Sequence, residues 1–205
     1  MKKVICSLIL SVLFMTTSCA DKKSPDDSSS VNNWKALYKS KLEEFMNSDE
    51  YYADNDLVYG SRFDIADITG DDIPELFVSA SNAHVFQCGI YTIKDEKLQY
   101  IGEYGSFGSV MYNEKQKFVC SEYTGQGVTT ASIYSFQNGE EETIISYNNN
   151  YGSAESEDKV VYTINGKAVS YEEYNKNLEP YNVLEWVELG RKYSFTEENI
   201  KLTDF

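Results

Sequence analysis

Between Ser61 and Val169 the chain is broken every few residues by polar turns, and apolar and polar side chains alternate between them. This period of two constrains the fold more than any other feature. In a strand, successive side chains point to opposite faces, so alternation of this kind reads as half-buried strands. Ser61 to Ile65 and Leu76 to Ala80 flank an acidic loop. Val85 to Ile93 and Leu98 to Tyr104 form a predicted hairpin over Lys94-Asp95-Glu96, and Leu98, Tyr100, Gly102 and Tyr104 lie on one face. Val110 to Tyr112 pairs with Lys117 to Glu122, Thr129 to Phe136 with Thr143 to Tyr147, and Val160 to Ile164 with Lys167 to Val169. Asn138-Gly139 and Asn165-Gly166 suit type I′ turns, whose two central residues both need positive φ.

Helical periodicity brackets this region. Trp34, Leu37, Tyr38, Leu42 and Phe45 fall on one face of a helix spanning Trp34 to Asn47. Ser170-Tyr171-Glu172-Glu173 reads as a capping box that starts a second helix, expected to end near Leu178, before Pro180. Val183 to Leu189 suits a strand or a helix, and Thr196-Glu197-Glu198 begins a last short helix. The expected fold is α+β: a meandering antiparallel sheet of hairpins flanked by an N-terminal helix and C-terminal helices. Residues 34–205 make one domain of 172 residues, enough to bury a core.

The first 18 residues read as an export signal. Lys2 and Lys3 precede an apolar run from Val4 to Met15, too short to span a bilayer. Thr16-Thr17-Ser18-Cys19 resembles the lipobox of bacterial lipoproteins, in which the cysteine is acylated and becomes the first mature residue; Thr16 stands where leucine is usual. The resemblance implies a domain anchored to the bilayer through Cys19, on the extracytoplasmic side of a bacterial membrane. Ala20 to Asn33 is rich in Asp, Lys, Ser, Pro and Asn, the composition of a flexible tether (residues 19–33 with the anchor). Loss of Lys2 and Lys3 with the signal takes the net charge from -15 to -17. Such an acidic chain is a poor partner for nucleic acid or for anionic lipid through its folded surface.

Removal of Cys6 and acylation of Cys19 leave Cys88 and Cys120 of the four cysteines. A disulfide between them would close a loop of about 32 residues and contribute roughly 3–4 kcal/mol. The alternative is two buried thiols acting as small apolar residues.

One segment carries candidate chemistry: Asp67-Ile68-Thr69-Gly70-Asp71-Asp72-Ile73-Pro74-Glu75. Oxygen-bearing side chains recur at its first, third, fifth and ninth positions. Asp67, Thr69, Asp71 and Glu75, with the Ile73 carbonyl, make a candidate ligand set for a structural calcium ion. It is not an EF-hand, since Val78 stands where the bidentate glutamate belongs. A solvated acidic turn between two strands is the other reading. The segment resembles the FG-GAP or VCBS-like aspartate loops of exported bacterial proteins. With Phe63-Asp64-Ile65-Ala66 before it and Leu76 after it, it is similar to a group of exported or lipidated proteins of gut-type bacteria, largely without assigned biochemical function. Ile90-Tyr91-Thr92-Ile93, Gly105-Ser106-Phe107-Gly108 and Gly166-Lys167-Ala168-Val169-Ser170 extend that similarity. Thr69 and Asp72 depart from the pattern, standing where Asn or Asp, and Gly, are usual.

His84 and Cys88, four residues apart, would share a strand face and make a conceivable base and nucleophile. No motif surrounds them. Tyrosines are numerous, 17 in all, and Tyr91, Tyr100, Tyr104, Tyr112, Tyr123, Tyr134 and Tyr147 lie on expected strands or their ends, where they suit either half-buried packing or contact with a sugar or protein. The sequence therefore points to a surface-tethered, non-catalytic binding module for a protein or glycan, with a secreted hydrolase of unrecognised type as the alternative.

Overall fold

The computed structural model describes residues 33–53, 60–83, 87–137, 139–151 and 160–202. The export signal, Cys19, the tether up to residue 32, His84 and Asn138 lie outside the described residues. The protein is of the mixed α+β class, with two α-helices and two antiparallel sheets, rather than one sheet, among the described residues.

Helix α1 (Asn33–Met46) buries Trp34, Tyr38, Leu42 and Phe45, the apolar stripe its periodicity defines. Among the described residues the strands are β1 (Arg62–Ala66), β2 (Glu75–Ser79), β3 (Cys88–Lys94), β4 (Lys97–Tyr104), β5 (Ser109–Asn113), β6 (Phe118–Gly125), β7 (Val128–Ser135), β8 (Glu142–Asn150), β9 (Val161–Ile164) and β10 (Lys167–Val169), then, after helix α2 (Tyr171–Asn182), β11 (Val187–Glu188) and β12 (Tyr193–Ser194). The first sheet has the order β12-β1-β2-β3-β4, the second β10-β9-β8-β7-β6-β5-β11. Asn165 and Gly166 both have positive φ, 49° and 73°, as the turn between β9 and β10 requires.

Three apolar clusters set the layers. Phe63, Leu76 and Val78 of the first sheet turn toward α1 and meet Trp34, Tyr38, Leu42 and Phe45. Their strand neighbours Phe77, Cys88 and Ile90 turn the other way and pack on Val110, Tyr112, Val119 and Phe136, of or beside the second sheet. The far face of that sheet, with Cys120, Ala131, Ile133 and Ile145, receives Tyr174 and Leu178 of α2. The order is thus α1, first sheet, second sheet, α2. Each large apolar side chain removed from water here contributes about 1.5–3 kcal/mol.

The segment after α2 stitches the two sheets together. β11 pairs with β5 on the edge of the second sheet, and six residues later β12 pairs with β1 on the edge of the first. Between them Leu189 N–H donates to the Val110 carbonyl at 2.8 Å. Gly190 has φ +80°, and a Cβ there would stand 2.5 Å from Cys88 Sγ. Only glycine meets both conditions.

Helix α2 runs through Pro180, past the stop expected before it. Ser170 Oγ accepts the Glu173 N–H at 3.1 Å and caps its start. Proline costs a helix one hydrogen bond and crowds the preceding turn. Here the last turn is held from outside. Leu178 is buried, and the Tyr181 ring packs 6.4 Å from Phe118, so burial outweighs the lost bond.

Candidate functional site

The Asp-rich loop joins β1 to β2 at one end of the first sheet. Gly70 has φ +81° and Asp72 φ +67°, so the left-handed position expected for glycine is filled by an aspartate, which tolerates it better than most residues. Asp67 Oδ1 accepts the Gly70 N–H at 2.6 Å, and Asp71 Oδ1 accepts the Ile73 N–H at 2.9 Å. Both are local turns in which the side chain replaces a backbone acceptor.

Glu75 is fully buried. Its Oε2 accepts the Ile68 N–H at 2.9 Å, and its Oε1 accepts the Thr92 hydroxyl at 2.9 Å and the Thr69 hydroxyl at 3.4 Å. Burial pushes its carboxyl up to about 7, against the pull of the Ile68 and Thr92 hydrogen bonds, and the neighbouring Asp71 and Asp67 charges push the same way as burial. Glu75 therefore clasps the loop to β3.

A cation does reach the loop: Lys117. Its ammonium donates to both the Asp67 carbonyl and Asp67 Oδ2 at 3.0 Å. The Tyr112 hydroxyl donates to the same carbonyl, and the Tyr112 ring centroid lies 5.9 Å from Lys117 Nζ. Burial opposes the charge on Lys117, and the hydrogen bond to Asp67 more than restores it, raising its pKa. Lys117 and Tyr112 belong to the second sheet's β5–β6 hairpin, so this contact also ties the two sheets together.

Of the expected ligand set, Asp67, Thr69, Asp71 and Glu75 do share one loop, but their oxygens do not form a common cage. Asp67 faces Lys117, Asp71 faces its own turn, and Glu75 faces inward with both oxygens engaged. Ile73 packs its side chain against the α1 cluster. Calcium takes six to eight oxygen ligands, and in this arrangement Asp67 and Glu75 are engaged by protein donors. Among the described residues no group of three or more His, Cys, Asp or Glu side chains is placed to hold a metal ion.

Cys88 and Cys120 are both buried free thiols, on different sheets and in different apolar clusters. Burial pushes each thiol up to about 12. A thiol held that high supplies little thiolate near neutral pH.

Three clefts surround the joint between the sheets. One of about 650 Å³ lies beside the loop, with Asp64, Asp67, Tyr112, Lys117, Glu188 and Arg191 on its walls. Its charges are mixed, and its deepest carboxyl, Asp64, is raised by burial and accepts the Ile65 N–H at 2.9 Å. The second cleft, about 430 Å³, lies on the other side of the loop. Thr69, Thr92, Gln99, Tyr100, Gln137 and Glu141 line it. The third, about 530 Å³, continues past Ile101 and Glu141, residues it shares with the second, toward Tyr104, Glu122 and Tyr134. The two adjoin along β4 and together are called the β4 groove; where they meet, the Tyr104 hydroxyl donates to Glu141.

Of the seven strand tyrosines, Tyr104 and Tyr112 are buried in the core between the sheets, whereas Tyr100 is 53% exposed. Tyr100 leans on Tyr91, ring centroids 5.2 Å apart. Sequence reasoning missed Lys117, Thr92, Gln99 and Glu141 as site residues. Nothing local marks them, since each reaches the loop or groove only through sheet pairing or packing.

Comparison with family models, with curated proteins and with solved structures found no match.

Proposed function

We propose that the protein is a bacterial envelope lipoprotein, anchored to the bilayer through acylated Cys19 on the extracytoplasmic side, whose folded domain is a non-catalytic binding module for a protein or glycan. The anchor reading rests on the lipobox-like Thr16-Thr17-Ser18-Cys19 and the polar stretch after it. Among the described residues no helix is long and apolar enough to cross a membrane. The observation that carries the binding reading is the groove along β4. It is long and open, and its walls offer an exposed aromatic ring, amides, hydroxyls and carboxylates. Surfaces of that composition give contact area and adaptable hydrogen bonds.

In the same reading the Asp-rich loop is a structural staple charged by Lys117. A calcium ion would bind there only by displacing the ammonium from Asp67.

Two measurements test the proposal. Palmitate labelling and membrane fractionation of the full chain in a bacterial host should show a labelled, membrane-bound protein that Cys19→Ala releases unlabelled. The purified mature protein should then retain members of a peptide and glycan panel, and Tyr100→Ala should weaken that retention. Labelled protein that retains nothing from the panel overturns the binding reading. Cleavage of a panel member would assign a hydrolase in its place.

A further inference from the structure

We infer that the β4 groove takes an extended peptide of net positive charge, which adds as a further strand to the free edge of the first sheet. The inference rests on the binding-module reading and gives the partner its chemistry. β4 is the last strand of its sheet and pairs only with β3. Among the described residues no hydrogen bond outside that ladder reaches the main chain from Lys97 to Tyr104. An edge of this kind is a template for another strand, and proteins normally cover it or blunt it. Here it is left open, yet it is walled. Every residue from Gln99 to Tyr104 lines the groove, whose opposite side is built from the second sheet and its β7–β8 turn. Six consecutive residues span about 20 Å of strand. Six consecutive lining residues beside an unpaired strand edge suit strand addition, in which main-chain hydrogen bonds supply affinity and side-chain contacts specificity.

Charge selects the occupant. Glu103, Glu122 and Glu141 line the groove, against Lys94 alone; Glu141 and Glu122 each accept one tyrosine hydroxyl, from Tyr104 and Tyr147, and keep their negative charge. A second copy of this chain would bring the same acidic edge and a net charge of -15 to meet it, so edge-to-edge self-pairing is disfavoured. A peptide with lysine or arginine at alternate positions has the complementary charge, and its other face can rest on Tyr100 and Ile101.

The test uses the purified mature protein and a nine-residue peptide of alternating lysine and valine, with a glutamate-for-lysine peptide as control. Fluorescence anisotropy should show binding of the lysine peptide that weakens as salt rises, and no binding of the control. Hydrogen exchange should slow within residues 97–104. N-methylation of one alternate set of peptide amides should weaken binding at least about tenfold while the other set leaves it unchanged, because only one set faces the edge. Glu103→Lys, on an exposed side chain, should weaken binding about tenfold without moving the melting temperature. Equal binding of both N-methylated peptides, or unchanged exchange across 97–104, overturns strand addition. If a glycan binds the groove and the peptide does not, this inference falls and the binding-module reading stands. If neither binds, both fall.

Discussion

The Asp-rich loop and the β4 groove adjoin at Thr69 and Asp71, and they differ in what their acceptors and backbone meet. In the loop each carboxylate that the spacing singles out already accepts from the protein itself: Asp67 from Gly70 and Lys117, Asp71 from Ile73, Glu75 from Ile68, Thr69 and Thr92. Along β4 the backbone edge has no partner beyond β3, and Gln99, Tyr100 and Glu103 stand exposed. The region with the more conspicuous sequence motif is closed upon itself; the region with the plainer sequence is open. Groove side chains such as Glu141, Glu122 and Gln137 are also hydrogen-bonded within the protein, so it is the open backbone edge of β4 that separates the two regions.

Removing the clasp should produce the largest effect. Glu75→Ala leaves the buried Ile68 N–H without an acceptor and opens a polar void, so urea unfolding should show a loss of roughly 3–4 kcal/mol. A loss under about 1 kcal/mol would mean that the loop is not held from within.

The next effect comes from the protonation of the same group. Glu75 rises from its ordinary 4.5 to about 7 in the folded state, so the folded protein holds a proton that the unfolded chain releases. Stability from this group is full below about pH 4.5 and is lost as pH rises through 7. Unfolding free energy should fall by about 2–3 kcal/mol between pH 5 and 8 from this group, with Asp64, also raised by burial, acting in the same direction. Glu75→Gln should flatten that slope; an unchanged slope would place the titration elsewhere.

A smaller change should follow from Lys117→Met. The ion pair with Asp67 is partly exposed, 26% and 22% at the two side chains, and solvent screens it. Its loss should cost about 1 kcal/mol in urea unfolding. This variant sharpens the comparison. If Lys117 supplies the loop's positive charge, millimolar calcium should raise the melting temperature of Lys117→Met more than that of the parent. Equal and large calcium shifts in both would show that the loop binds the ion with the lysine in place.

The smallest stability effect belongs to the open region. Tyr100→Ala should change unfolding free energy by under about 0.5 kcal/mol, as for other surface positions. A larger loss would make Tyr100 part of the core and weaken its role in the groove.

Much of this architecture was legible along the chain. The apolar stripe of α1 follows from residues three and four apart, and each hairpin from a short alternating run with a turn signal. Asn165-Gly166 adopts the positive φ its residue types allow. The Asp-rich loop was legible as a tight acidic turn, and the left-handed Asp72 as a departure in that pattern. These are local matters, decided by backbone sterics and by side chains within one turn or one strand of each other.

Other features depended on residues far apart in sequence. Nothing in β1 to β12 taken singly says that the strands divide between two sheets, because the alternation is the same whether a face meets a helix or another sheet. Lys117 is 50 residues from Asp67 in the chain, and Thr92 is 17 from Glu75, so neither contact leaves a mark on local spacing. The sequence by itself determined the period, the turns and the acidic character of this protein. Tertiary packing decided which carboxylates would be satisfied and which strand edge would stay open, because satisfaction and exposure are properties of what lies across a gap, not of what lies next along the chain.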